Sequence, residues 1–158
     1  MNAALELVTH GPKETQRIGR LLGNVALPGD IFLLEGPLGA GKTCLTQGIA
    51  WGLGVQEHAR SPTFVLVTRY IGKHTIHHMD LFRIDDPLEA ADLGLEEYLE
   101  SDDICVVEWA DKAPNLFPMD SLRIELGYGD DETTRTIRFH IKGTPNQALL
   151  KTLLALEI

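Results

Sequence analysis

The chain has 158 residues, 44% of them hydrophobic, and a formal net charge of −9, which predicts one domain over 1–158 with its own core. Such an acidic chain is a poor grip for nucleic-acid phosphates, which need clustered Lys and Arg, and a protein partner is easier to accommodate. Its two cysteines, Cys44 and Cys105, outline no disulfide framework, and there is no signal-peptide pattern or membrane-length apolar run, so a reducing cytoplasm is expected.

In chain order, Ala3 to Thr9 alternates as a first strand. Gly11-Pro12 opens a helix, with Pro12 suited to its first position and Glu14 in its first turn. Ile18, Leu21, Leu22 and Val25 share one face of that helix. After the Pro28-Gly29-Asp30 turn, Ile31 to Glu35 is a short apolar run that suits a buried parallel strand.

Gly36 to Thr43 then matches the phosphate-loop pattern G-x-x-x-x-G-K-[ST], and Cys44 to Trp51 reads as a helix closed by Gly52-Leu53-Gly54. Strand, glycine loop and helix is the context that this motif requires. Glycines let successive backbone N–H groups curl around phosphates, and the helix adds its partial positive charge. Lys42 can reach the β- and γ-phosphates, and the Thr43 hydroxyl can ligate Mg²⁺. The candidate nucleotide-binding residues are therefore Gly36, Pro37, Leu38, Gly39, Ala40, Gly41, Lys42, Thr43 and Cys44.

Val55 to Arg60 reads as polar and exposed. Ser61-Pro62-Thr63 precedes an apolar stretch from Phe64 to Tyr70, Gly72-Lys73 makes a turn, and Thr75 to Met79 returns as a strand ending at Asp80. Thr63 is placed to act as a switch-loop hydroxyl on metal or γ-phosphate, or else simply starts the strand. His77 and His78 read as alternate faces of a strand and do not have zinc spacing. Asp86 caps a helix that starts at Pro87 and breaks at Leu93-Gly94-Leu95. Ile104 to Val107 is four apolar residues in a row, the pattern of a central strand, and it ends in Glu108-Trp109. Leu122 to Leu126 and Thr134 to Ile141 form a late antiparallel pair. The last helix is expected to start as a capping box at Thr144, with a stripe of Leu149, Leu150, Leu153 and Leu154.

A phosphate-loop enzyme needs a carboxylate near its metal. Asp80 and Glu108 both end apolar strands, where open α/β sheets place ligands. Glu108, on the more deeply buried strand, is assigned as metal partner; Asp80 then orients water or the metal shell. The candidate catalytic set is Lys42, Asp80 and Glu108, and the candidate metal set is Thr43 and Glu108. Trp109 covers the phosphates, faces a partner or packs in the core. Arg60 and Arg83 are weaker candidates for transition-state charge.

These residues resemble a known family. Gly36 to Thr43, Ser61-Pro62-Thr63-Phe64, His78-Met79-Asp80-Leu81-Phe82-Arg83 and Glu108-Trp109 occur in the order and spacing of TsaE (earlier YjeE), the bacterial P-loop ATPases of tRNA threonylcarbamoyladenosine synthesis. The resemblance implies a three-layer P-loop α/β fold whose mixed sheet includes the hairpin and the late antiparallel strands. It implies ATP and Mg²⁺ as ligands, Thr43 and Glu108 at the metal, and functional roles for Asp80 and Trp109. It also implies a TsaD–TsaB pair as partner, which performs the transfer while the ATPase resets the complex. The base is expected between the Thr9 to Pro12 turn and the late strands, by Arg135. Two positions depart from the pattern: Cys44 stands where Thr or Ser is frequent, and Phe82 where Tyr is common. The competing readings are a nucleotide-dependent interaction module with little turnover, a small-molecule P-loop kinase, and a GTPase. Against the last two, the chain has no arginine-rich lid and no Asn-Lys-x-Asp guanine motif.

Overall fold

The computed structural model describes residues 3–57, 59, 67–141 and 146–156. Strand β1 (Ala3–His10) leads to helix α1 (Pro12–Val25), then β2 (Ile31–Glu35) and α2 (Lys42–Gly52). The hairpin β3 (Val67–Ile71) and β4 (Thr75–Asp80) precedes two short helices, α3 (Pro87–Asp92) and α4 (Leu95–Leu99). Strand β5 (Ile104–Glu108), a 3₁₀ turn at Ala110–Lys112, β6 (Leu122–Tyr128), β7 (Thr134–Ile141) and α5 (Gln147–Ala155) complete the order.

One seven-stranded sheet has the order β1-β7-β6-β2-β5-β4-β3. Its centre is parallel, with β2 between β5 and β6 and β4 outside β5. β3, β7 and β1 add antiparallel neighbours at the two sides. The mixed α/β architecture is the expected one.

Alternation along the central strands divides the core. Phe32, Leu34, Ile104 and Val106 pack with Leu22, Leu45, Ile49 and Leu153 from α1, α2 and α5. Ile31, Leu33, Cys105 and Val107 pack on the other side with Ala90, Leu95 and Leu99 from α3 and α4. A parallel strand buried on both faces needs an unbroken apolar run, and both β2 and β5 have one. Among the described residues, the wing formed by β6, β7 and β1 packs its apolar side against the α1–α2 core. Its other side carries charged pairs, Arg123–Glu35 at 2.8 Å, His140–Glu125 at 2.6 Å and Arg138–Glu6 at 3.8 Å.

Helix α1 is held differently from the expected leucine stripe. Its buried residues are Thr15, Gly19, Leu22 and Gly23. A Cβ at Gly19 would lie 2.4 Å from the Leu45 carbonyl oxygen, and one at Gly23 2.2 Å from that of Ile49. From α2, a Cβ at Gly48 would lie 2.1 Å from the Gln16 oxygen and one at Gly52 2.3 Å from that of Arg20. The two helices therefore meet backbone to backbone, closer than any side chain permits. Ile18 and Val25 flank the contact, partly buried.

Three smaller expectations are corrected. Val55 and Ala59 are buried rather than exposed, because both fold back against the α1–α2 side of the core. Helix α5 is capped by Asn146, whose Oδ1 accepts from the Leu149 N–H at 3.1 Å; Thr144 lies outside the described residues. Asn146 also donates to Val25 O and Asp30 Oδ2, so tertiary contacts select it as the cap. Leu149 and Leu153 are buried but Leu154 is exposed, because a helix so short packs along a single narrow line.

Candidate functional site

The site lies at the C-terminal ends of β2, β5 and β4. Leu34 and Asp80 both stand beside Glu108 in the parallel register, so the phosphate loop leaves the sheet next to two acids. The loop turns at once because Gly36 takes φ 143, and a Cβ there would meet the Leu126 oxygen at 2.2 Å. Gly41, at φ 110, starts α2 from a left-handed conformation that a side chain would strain.

Lys42 is 5% exposed, and its Nζ donates to Gly36 O at 2.5 Å and Pro37 O at 2.8 Å. The Trp109 ring closes over it, with the ammonium 3.9 Å from the ring centroid. Burial pushes the Lys42 ammonium below its ordinary value, and the nearby carboxylates of Glu108, Asp111 and Asp80 oppose that shift. A cation is thus held inside the loop by three neutral or aromatic acceptors, poised where an anion would be received.

Glu108 is 2% exposed. Its Oε1 accepts from Thr43 Oγ1 at 3.0 Å, and its Oε2 from Thr46 Oγ1 at 3.4 Å. His78 Nε2 stands 2.5 Å from the same Oε2. Thr46 also bonds back to the Lys42 carbonyl at 2.9 Å. Asp80 is turned toward its own chain, accepting the Phe82 N–H at 2.9 Å. Among the described residues no group of three or more His, Cys, Asp and Glu is arranged for a metal. The donor set is instead one hydroxyl and one carboxylate, 3.0 Å apart. Hard oxygen donors in small number suit Mg²⁺, which keeps water and takes phosphate oxygens as its other ligands.

Trp109 is the one described residue other than glycine with positive φ, at 59. That left-handed turn swings its ring from the end of β5 over Lys42. Phe82 packs on it with centroids 5.0 Å apart, and Lys112 Nζ lies 5.7 Å from the Phe82 ring. Both a loop cover and an exposed aromatic are therefore present at this edge, where Phe82 is 47% exposed.

The wing reaches the loop from the other side. Tyr128 Oη donates to Leu38 O, and Arg135 Nε donates to Gly39 O at 3.2 Å. Tyr128, Asp130, Asp131, Glu132 and Arg135 line a recess of about 500 Å³ beside the loop. Arg135 is the register partner of Thr9, so the β1–α1 turn and Arg135 do stand together. Thr9 and Thr15 join their hydroxyls at 2.9 Å there. Cys44 sits half-buried at the start of α2; burial and Glu108 push its thiol up, and Arg135 opposes them.

The structure thus brings together Lys42, Thr43, Glu108, Asp80 and Trp109, with Arg135 and Cys44 at the rim. Thr63 and Arg60 lie outside the described residues, and Arg83 is exposed. Sequence reasoning missed Thr46, and it placed His78 on its strand and in the family motif without its contact to Glu108. Thr46 is one helical turn from Thr43, and that spacing was visible; the contact of His78 with Glu108 joins separate strands and leaves no local trace.

Comparison with known proteins accords with this geometry. Residues 9–137 match the family model described as threonylcarbamoyl adenosine biosynthesis protein TsaE. The Bacillus subtilis tRNA threonylcarbamoyladenosine biosynthesis protein TsaE is 42% identical over 147 residues, spanning 92% of this chain and 90% of that protein. The Treponema pallidum protein of the same name is 35% identical over 122 residues, spanning 77% and 90%. The crystal structure of Bacillus subtilis YdiB superposes with a TM-score of 0.84 at 34% identity, over 100% of this chain and 99% of that one. With a P-loop, a mixed sheet and a match over most of its length, this chain belongs to the TsaE family of tRNA threonylcarbamoyladenosine biosynthesis proteins.

Proposed function

We propose that this chain is a single-domain cytoplasmic ATPase that binds ATP with Mg²⁺ and acts on a TsaD–TsaB complex. Its turnover serves threonylcarbamoyl modification of the adenosine next to the anticodon in tRNA, and the transfer itself belongs to the partners. The observation that carries this reading is the convergence of Lys42, Thr43 and Glu108 at one loop, with Thr43 Oγ1 3.0 Å from the Glu108 carboxylate.

In this reading Lys42 exchanges the Gly36 and Pro37 carbonyls for phosphate oxygens, which match its charge better. Thr43 and Glu108 supply the oxygen donors for Mg²⁺, whose chemistry is to neutralise charge on the phosphates. Trp109, above Lys42, excludes water from one side of the loop or moves aside as phosphate enters. Asp80, beside Glu108, orients an attacking water. Tyr128 and Arg135 hold the tip of the loop and lie next to the recess that would take the nucleoside. The net charge of −9 argues for a protein partner over a large direct contact with tRNA. Among the described residues no helix is long and apolar enough to cross a membrane.

The test is Mg²⁺-dependent ATP binding and hydrolysis by the purified chain, alone and with a TsaD–TsaB pair. Stimulation by the pair is expected. Lys42→Ala is expected to lose nucleotide binding, and Glu108→Ala to keep it while turnover falls about a hundredfold or more. Unchanged hydrolysis in Glu108→Ala would overturn the metal assignment. Binding without hydrolysis, even with the pair, would leave a nucleotide-dependent interaction module.

A further inference from the structure

We propose that His78 is a positioning residue for Glu108, holding one carboxylate oxygen so that the other faces Thr43. The inference rests on the reading of Glu108 as the acid of an ATP site. His78 lies on β4, opposite Val106 of β5 and two residues before Asp80. Along that strand it shares a face with Ile76, the face covered by α2. Its side chain is wholly buried, and Nε2 stands 2.5 Å from Glu108 Oε2.

The two ring nitrogens agree on which way the bond runs. Nδ1 is buried and has no hydrogen-bond partner among the described residues. A buried N–H without an acceptor is costly, and bare acceptors are the better tolerated orphans. A carboxylate offers only acceptors, so the N–H that meets it is on Nε2 and is donated to Glu108. The Tyr70 ring, with its centroid 6.3 Å away, stands beside the imidazole.

The two oxygens of Glu108 then have separate tasks. Oε2 is fixed by His78 at 2.5 Å, with Thr46 at 3.4 Å, while Oε1 points to Thr43 at 3.0 Å. A glutamate has enough rotamer freedom that an unheld carboxylate would sample several directions. Partners of this kind orient a ligating group, and their loss typically costs about 10–100-fold in affinity or activity. A histidine that merely fills the core would be replaceable by any side chain of similar volume. A positioning histidine is replaceable only by one that carries an N–H to the place of Nε2.

That difference supplies the test. The amide nitrogen of Gln reaches the place of Nε2, whereas that of Asn stops near the place of Nδ1. His78→Gln, His78→Asn and His78→Leu are made in the full chain, and kcat and KM for ATP are measured with saturating Mg²⁺. Asn and Leu are expected to lower kcat about tenfold or more with KM within about threefold, and Gln to stay within about threefold of the parent. In a Glu108→Gln background the same changes are expected to have no further effect on kcat. Side-chain ¹⁵N spectra of the parent, which need no turnover, are expected to show the Nε2–H form of His78 and a shift of that signal in Glu108→Gln. Equal behaviour of Asn and Gln, losses that multiply with Glu108→Gln, or an Nδ1–H ring would overturn the proposal. If His78→Leu does not fold, the Gln and Asn pair decides. A parent that binds and hydrolyses no ATP would instead sink the underlying reading, and the spectra would still test the pairing.

Discussion

The two faces of the sheet are built by different rules. On one, α1 and α2 touch through Gly19, Gly23, Gly48 and Gly52, and the helix that begins with Lys42 is pinned by backbone contact. On the other, α3 has six residues and α4 five, and Leu88 and Leu93 stay 69% and 52% exposed. The first face has little room to adjust, since any shift of α2 drives carbonyl oxygens into α-carbons. The second is joined to the site through the contact of Phe82 and Trp109, which side-chain rotation can remake. A response to nucleotide is therefore expected on the α3–α4 side, with α2 as the fixed reference.

The sharpest way to break this contrast is Gly48→Ala. The added methyl carbon would lie 2.1 Å from the Gln16 oxygen, so the helices must part. A loss of about 3 kcal/mol or more is expected, read as a fall in Tm of roughly 6–12 °C. An unchanged Tm would mean that the helix contact is looser than described.

On the opposite side, Trp109 separates two terms. Both Trp109→Ala and Trp109→Gly remove the ring over Lys42, but only Gly relieves φ 59. Gly is expected to be the more stable of the two by about 1 kcal/mol in chemical denaturation. Equal stabilities would argue that the left-handed turn carries no strain.

The cysteines sharpen the comparison kinetically. Cys105 is buried on the α3–α4 side and its thiol is pushed up to about 12 by burial, with Asp103 adding to the shift. Cys44, at the phosphate loop, is only partly buried. Alkylation followed by mass spectrometry is expected to label Cys44 slowly and to leave Cys105 untouched until unfolding, with nucleotide slowing Cys44 further. Early labelling at Cys105 would show that the second face opens as a unit.

The smallest effect belongs to the tip of the wing. Asp131 accepts from the hydroxyl and N–H groups of Thr134 and Thr133, which hold its carboxyl at about 2, below the usual carboxylate range. A depressed carboxyl favours the folded turn above the unfolded value and loses that contribution as pH falls through the folded one. Amide protection factors in the β6–β7 turn, corrected for the intrinsic pH dependence of exchange, are expected to be flat above about pH 4 and to fall between about 4 and 2. Asp131→Asn is expected to remove the step.

Much of this was legible beforehand because it is local. The apolar runs at Ile31 to Leu34 and Ile104 to Val107, the glycine loop, and the Asp86 cap each carry their own signal. The order of strands is not local, nor is the bond between His78 and Glu108, since both depend on which strand lies beside β5. The glycine contact was visible as Gly19, Gly23, Gly48 and Gly52, each pair four residues apart. It was overshadowed by Ile18, Leu21, Leu22 and Val25, because apolar periodicity is read as burial and small residues are not. The cap at Asn146 was displaced for a related reason: its partners, Val25 and Asp30, are far away in sequence.

The pairing of β1 with β7 has a consequence for synthesis. Ala3 finds its partner in Ile141 and His10 in Thr134, so β1 waits for β7, more than a hundred residues later in the chain. While the ribosome is at work, β1 is an unpaired edge with nothing to zip onto. The central strands and their helices can settle earlier, because β2, β4 and β5 all emerge before β6. Vectorial folding then builds this molecule from its phosphate loop outward and closes the sheet where β1 meets β7.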